Sequence, residues 1–369
     1  MKKAGVIGAG TMGHGIAELL ALHDYDVTLV DTSKEALEIA RKKILKSLER
    51  FSKKGAYHHI DFTEMLEKLE ESDIVIEAVP ENLGIKKAVL VRLGEIVTQD
   101  TIIASNTSTI PISTLAGFIL NPERFLGTHF FNPPVMMPLV EVIRGSQTSA
   151  DTLTKTYKLL ENLGKEKVTL KKDVPGFIVN RINARLFSKT FSLLEEGISI
   201  EMIDAAAVRG LGFPMGMCQL LDFVGIDVIL NGSKELQHNG FDIEISPILQ
   251  KMVSENRLGM KTGGGFYNYS DRNRKIEIKK MNTGDLPLRL ISPGINEAYW
   301  LLKNDISGCA DIERAMVKGM NWPKGPVGYA RQFGIPSVIN QLETEFAKCG
   351  KPWYRADPAM ATNLELLCS

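Results

Sequence analysis

Cysteine is scarce. Four of the 369 residues are cysteine, Cys218, Cys309, Cys349 and Cys368, and no two form a Cys-x-x-Cys pair. That spacing indicates neither a zinc site nor a disulfide framework, and no metal is expected. A reducing compartment is the simplest reading, so the protein is expected to be cytoplasmic. An excess of one charge is lacking too: 44 Lys and Arg balance 44 Asp and Glu. Neither nucleic acid nor a membrane surface is therefore expected as a bulk partner. No apolar run approaches the roughly 18 residues that span a bilayer. The opening MKKAGVIGAG faintly imitates a signal peptide. Its apolar part is glycine-rich and soon interrupted by His14 and Glu18, so none is expected. What remains is the composition of a soluble globular protein, 44% hydrophobic and 24% charged. The chain is too long for one ordinary core, so two or three domains are expected.

The first thirty residues are the most legible. Residues 4–7 are a short apolar run, followed by Gly8, Ala9, Gly10, Thr11, Met12 and Gly13. An amphipathic segment comes next, with Ile16, Ala17, Leu19, Leu20 and Leu22 on one side, then Val27, Thr28, Leu29 and Val30, ending at Asp31. The order is strand, glycine loop, helix, strand, acid. Gly8 allows the tight turn, Gly10 lets backbone approach a pyrophosphate at the helix N-terminus, and Gly13 lets helix and strand pack closely. Asp31 stands 18 residues past Gly13, placed to bond both ribose hydroxyls and to repel a 2′-phosphate. Gly8, Gly10, Thr11, Met12, Gly13 and Asp31 are thus candidate cofactor-binding residues, and NAD is expected rather than NADP. A glycine-rich turn alone is common; its flanking elements carry the reading. The helix-to-strand turn at 23–26 has no glycine, and Asp24 is the residue there that tolerates a left-handed conformation.

Residues 33 to about 54 read as a long helix with a basic end. Its simple reading is a solvated helix C-terminus; its functional reading is a site for a phosphorylated substrate. Residues 73–79, DIVIEAV, read as a buried strand. Pro80, Glu81 and Asn82 then turn into a helix carrying Lys86. Residues 101–104 are another such strand, leading to Asn106 and Ser108. Ligands of a doubly wound sheet lie beyond the carboxyl ends of its strands. Glu81, Asn106, Ser108 and His129 fall at such ends and are expected to converge.

Residues 128–141 read THFFNPPVMMPLVE. His129 precedes an aromatic pair and the turn at Asn132, Pro133 and Pro134, and Glu141 follows on a short apolar run. An imidazole titrates near neutral pH, and a carboxylate in reach fixes its tautomer and stabilises its charged form. The plainer alternative is that His129 only packs beside Phe130 and Phe131 and that Glu141 is a surface charge.

Further on, a charged segment and Pro175-Gly176 mark a domain boundary, with a helix from about 177. The helical second part contains a repeat. Ile203-Asp204 and the run RGLGFPMG at 209–216 return 109 residues later as Ile312-Glu313 and KGMNWPKG at 318–325. Gly225-Ile226 likewise returns as Gly334-Ile335. No aspartate in the second copy matches Asp222.

GAGTMGHGIA, AVPEN, SNTSTIPI, HFFNPPVMMPLVE and DVPGFIVNRI follow one another in the order seen in L-3-hydroxyacyl-CoA dehydrogenases. The chain resembles that family, 3-hydroxybutyryl-CoA dehydrogenases included, over essentially its whole length. The resemblance implies an α/β Rossmann-type NAD-binding domain at 1–173, then two all-α domains of the family's C-terminal type, at 174–284 and 285–369. It implies reversible NAD-dependent oxidation of (S)-3-hydroxyacyl-CoA to 3-ketoacyl-CoA, as in fatty-acid β-oxidation or butyrate-type metabolism. His129 would be the base and Glu141 its partner, with Ser108 and Asn180 bonding the reacting oxygen. Glu81, Lys86, Asn106, Ser108, Asn132 and Lys261 join the cofactor-binding set, and Ser47 and Lys54 become candidates for CoA phosphates. Single-copy relatives dimerise through the helical domain, so the chain is expected as a homodimer or as an internally pseudo-dimeric monomer. No enoyl-CoA hydratase domain is present, so a hydratase or thiolase would be a separate protein. Rival readings are an NAD-dependent sugar-acid dehydrogenase of the gulonate type, a partner-dependent subunit, and a non-catalytic NAD-binding protein. Phe130 and Phe131 and the two-copy layout favour the acyl-CoA branch, and intact Ser108, His129, Glu141 and Asn180 oppose the non-catalytic reading.

Overall fold

The apolar runs of the first half become strands of an eight-stranded sheet in the computed structural model, which describes residues 2–271 and 276–362. The strands are β1 (Lys3–Ile7), β2 (Asp26–Val30), β3 (Ile60–Thr63), β4 (Ile74–Glu77), β5 (Ile102–Ser105), β6 (Phe125–Phe130), β7 (Leu139–Ile143) and β8 (Glu166–Leu170). Their spatial order is β3-β2-β1-β4-β5-β6-β7-β8. All neighbours pair in parallel except β6 and β7, which are antiparallel. Strand order reverses between β1 and β4, the place where such sheets open a crevice at their carboxyl edge. Strands such as β4 and β5 are buried at every position, which is why they read as unbroken apolar runs rather than alternating ones.

Helices α1 (Thr11–Ala21), α2 (Lys34–Arg50), α3 (Leu83–Ile96), α4 (Ile112–Ala116) and α5 (Ala150–Asn162) lie between the strands in sequence. The turn after α1 closes without glycine because Asp24 takes φ +61°. The long helix expected to about 54 stops at Arg50. Ser52 is left-handed at φ +55°, and residues Lys54–His59 form a separate 3-10 turn. Lys54 is therefore not on the helix at all. Local charge pattern continued past the point where the backbone turned.

The chain divides into two compact units, Met1–Phe177 and Ile178–Ser369. The second is helical: α6 (Val179–Glu195), α7 (Ile200–Ala205), α8 (Met217–Val224), α9 (Ile226–His238), α10 (Pro247–Ser254), α11 (Leu286–Lys303), α12 (Cys309–Gly319), α13 (Pro326–Phe333) and α14 (Ile335–Cys349). The sequence repeat is also a repeat of bonds. Asp204 accepts from the amides of Cys218 (2.7 Å) and Gln219 (3.2 Å) at the start of α8. Glu313 accepts from Val327 (2.8 Å) and Gly328 (3.1 Å) at the start of α13. Gly216 and Gly325 are required beside these acids: a Cβ would stand 2.2 Å from Asp204 and 2.4 Å from Glu313. Phe213 and its counterpart Trp322 stack on each other, centroids 4.3 Å apart. Arg181 and Arg185 of α6 bind Glu297 of α11 at 2.6 and 2.7 Å.

No helix among the described residues is long and apolar enough to cross a membrane. Cys218 and Cys349 are free, whereas Cys309 is disulfide-bonded. Spacing along the chain did not indicate that bond, because a disulfide joins residues close in space, not in sequence.

Candidate active site

His129 and Glu141 face each other because β6 and β7 are antiparallel. The register places Gly127 opposite Ile143 and His129 opposite Glu141, and directly opposed side chains on one face of such a pair touch. His129 Nδ1 lies 2.7 Å from Glu141 Oε2. A carboxylate only accepts, so Nδ1 donates and Nε2 is left as the basic nitrogen. Nε2 has no hydrogen-bond partner among the described residues. Glu141 is fully buried, and His129 is 8% exposed. Phe130 joins the sheet's core on the opposite face. The rings of Phe131 and Phe177 flank the imidazole at 4.9 and 5.6 Å. Glu141 is thus no surface charge, and the imidazole has a partner beyond its aromatic neighbours.

The glycine loop meets the demands of a dinucleotide. Gly8 has φ +99°, and a Cβ there would stand 2.6 Å from Ala78 O. On Gly13 it would stand 1.7 Å from Gly8 O, whereas on Gly10 it would meet nothing within 4 Å. Gly10 is therefore the open approach. Helix α1 begins there with no side-chain cap and no acid in its first turn, so its amides and dipole are available to an anion. Thr11 is exposed and Met12 half-buried at this end. Asp31 closes β2 with Oδ2 accepting from Ala9 N (2.7 Å) and Oδ1 from Ser33 N (2.9 Å). That ties the acid to the loop it is expected to serve. These residues fit NAD.

Beyond β4 and β5 the expected polar residues converge, but largely on one another. Asn106 Oδ1 accepts from Phe130 N at 2.9 Å, which pins the loop after β5 to the strand that carries His129. Glu81 Oε1 receives the Thr107 and Thr109 hydroxyls (2.6 and 2.9 Å) and the Ser108 and Thr109 amides (both 2.9 Å). Glu81 Oε2 lies 3.3 Å from Lys86 Nζ. Burial pushes the Glu81 carboxyl up, but Lys86 and these hydrogen bonds outweigh it and hold it at about 2. Lys86 is itself buried, 2.7 Å from Glu77 Oε1. Glu77 Oε2 in turn accepts from Ser105 Oγ at 2.6 Å. The network ends at Ser108, whose amide and hydroxyl both face Glu81.

Glu77 was missed in the sequence reading. The signal was present: one acid inside an apolar strand, with a lysine nine residues on, is costly unless the two pair. Asn132 is exposed, and its bond to Pro133 is cis. Ser47 is half-buried, near the buried Glu18, whose carboxyl burial raises. Lys54 is exposed and 3.0 Å from Glu49. Asn180 and Lys261 belong to the second unit. Asn180 is half-buried in the first turn of α6, and Lys261 Nζ pairs with Asp227 at 2.6 Å.

The sheet order, the glycine loop at its switch point and the buried histidine–glutamate pair define an NAD-dependent dehydrogenase. Comparison with known proteins gives the family. Residues 3–174 match the 3-hydroxyacyl-CoA dehydrogenase NAD binding domain. Residues 176–269 and 288–366 match the 3-hydroxyacyl-CoA dehydrogenase C-terminal domain. The chain belongs to the 3-hydroxyacyl-CoA dehydrogenase family. It is 40% identical, over 72% of its own length and 100% of the relative's, to a probable 3-hydroxybutyryl-CoA dehydrogenase of Deinococcus radiodurans. It is 33% identical over 97% of its length to the fatty acid oxidation complex subunit alpha of Idiomarina loihiensis, and spans 54% of that protein. The crystal structure of 3-hydroxybutyryl-CoA dehydrogenase from Escherichia coli K12 superposes with a TM-score of 0.90, at 29% identity, covering 99% of this chain and 98% of that one.

Proposed function

We propose that the chain catalyses reversible oxidation of (S)-3-hydroxyacyl-CoA to 3-ketoacyl-CoA with NAD, in fatty-acid β-oxidation or butyrate-type metabolism. The observation that carries this reading is the buried His129–Glu141 pair, with Nε2 of His129 without a hydrogen-bond partner among the described residues, in an NAD-type sheet. When bound, the nicotinamide supplies the acceptor for a hydride from carbon 3. His129 Nε2 takes the proton of the 3-hydroxyl and returns it in the reverse direction. Glu141 holds the ring's tautomer and stabilises the imidazolium that forms. Ser108, oriented through Glu81, bonds the reacting oxygen. Asn180 is the further candidate for that oxygen which the family resemblance supplies. The glycine loop, the first turn of α1 and Asp31 hold the cofactor, together with Asn106 and Asn132. Glu81 and Lys86 act by fixing the loop at 107–109. Lys261 completes the cofactor set and Ser47 and Lys54 the CoA set by resemblance.

Stereochemistry tests the reading. With NAD, (S)-3-hydroxybutyryl-CoA is expected to turn over and the (R) isomer is not. Turnover of a 3-hydroxy sugar acid with neither CoA thioester used would replace this reading with the gulonate-type one.

Residues 174–284 and 285–369 are proposed as two copies of the helical domain that make the chain a pseudo-dimeric monomer, with any enoyl-CoA hydratase or thiolase a separate protein. The matched acid-to-amide bonds and the Phe213–Trp322 stack support this. Light scattering should give a monomer mass; a dimer built through the first copy contradicts it. A cytoplasmic setting belongs to the proposal, with free Cys218 and Cys349 for it and the disulfide at Cys309 against it.

A further inference from the structure

The connection between β6 and β7, residues 131–138, separates His129 from Glu141 along the chain. It has little of its own to hold it. Pro133, Pro134 and Pro138 have no N–H to donate, and the amides of Met136 and Met137 both turn back to Pro133 O (3.0 and 2.9 Å). The carbonyls of Pro134 and Met137 are gathered by one side chain: Lys165 Nζ lies 2.7 Å from each. Lys165 immediately precedes β8, and the next amide, Glu166 N, bonds Pro138 O at 2.8 Å. Pro134 is seated on α1 at Gly15, where a Cβ would stand 2.8 Å from Pro134 Cδ. One ammonium thus holds the connection between the start of β8 and the helix that opens from the glycine loop.

That ammonium is an expensive choice. Lys165 is 8% exposed, and no carboxylate pairs with it among the described residues. Burial lowers it to about 8, so it keeps its charge at neutral pH. A buried cation compensated only by two carbonyls adds little to stability over an apolar side chain. What it adds is geometry, since two charge-assisted hydrogen bonds converge on one point.

We propose that Lys165 is a positioning residue of the dehydrogenase: by clamping Pro134 and Met137 it keeps Pro134 on Gly15 and holds Asn132 and His129 in place for the cofactor at α1. The inference rests on the NAD-dependent reading above.

Lys165→Met removes both bonds, and Lys165→Arg keeps the donors. NADH affinity is read by fluorescence titration, stability by melting, and kcat and KM with acetoacetyl-CoA. Lys165→Met is expected to bind NADH about tenfold more weakly and to lose kcat at saturating NADH, with Lys165→Arg recovering to within about threefold of wild type. A Lys165→Met enzyme that melts earlier but keeps wild-type NADH affinity, kcat and KM overturns the proposal. Should Lys165→Met not fold, Gly15→Ala lifts Pro134 from the other side with the lysine intact. It is expected to weaken NADH binding in the same sense, and wild-type binding by it overturns the proposal. NADH affinity needs no turnover, so a wild type that binds NADH without reducing acetoacetyl-CoA fails the reaction reading and leaves this comparison decisive for Lys165.

Discussion

A half-buried carboxylate in the first unit and a buried one in the second are displaced in opposite directions. Glu81, in the first unit, is held at about 2 because Lys86 and the loop at 107–109 outweigh burial. Asp204, in the second, is pushed up to about 6 because burial outweighs the amides of Cys218 and Gln219 and the hydroxyl of Tyr267. The difference is a cation. Glu81 has Lys86 beside it and stays charged, which suits an acid that orients Ser108. Asp204 has only dipoles, which suffices for a helix cap, and Glu313 repeats the arrangement with its carboxyl also raised by burial. Buried charge in the first unit serves orientation around the chemistry; in the second it serves cohesion.

The contrast can be attacked at several strengths. Glu297→Ala would remove the buried carboxylate that Arg181 and Arg185 share, and denaturant titration is expected to show a loss of about 3–5 kcal/mol. Lys86→Met should turn Glu81 into an acid of the Asp204 kind. Glu81 now contributes stability that is complete above its ordinary value of 4.5 and is lost as pH falls toward 2. That amounts to about 3 kcal/mol. In Lys86→Met the loss of stability between pH 4.5 and 2 should therefore disappear, and turnover should fall as Ser108 loosens; an unchanged acid profile would break the comparison. Asp204 has the opposite sign. Its proton is bound more tightly in the folded state, so its contribution is greatest below its ordinary 3.8 and is lost as pH rises through about 6. Asp204→Asn should flatten melting temperature between those values, by slightly less than the Glu81 effect. Lys54→Ala should change stability by no more than about 0.5 kcal/mol, since its pair with Glu49 is exposed. Weaker binding of acetoacetyl-CoA by that variant would support its phosphate role, and unaltered KM would remove it.

What could be read in advance followed from local necessity. The glycine loop was legible because only glycine fits at Gly8 and Gly13, and β4 and β5 were legible because a strand buried on both faces must be apolar throughout. The reversal of direction at β6 and β7 was not legible. It is set by pairing across an eight-residue connection, yet it brings His129 onto Glu141. The end of α2 was misjudged because basic residues run on past Arg50 while Ser52 turns the chain. Glu81 and Lys86 show a different limit. Their residue types pointed to a polar edge, but only the fold shows that they spend their hydrogen bonds on one another and on the loop before Ser108.

The central claim is that His129, oriented by Glu141, moves the proton. The most direct measurement is NADH oxidation with acetoacetyl-CoA by wild type, His129→Ala and Glu141→Gln, with NADH affinity determined for each. The account predicts rapid oxidation by wild type, none by His129→Ala, and a loss on the order of 10² or more in kcat for Glu141→Gln, with NADH affinity unchanged in all three. Near-normal turnover by either variant would contradict it.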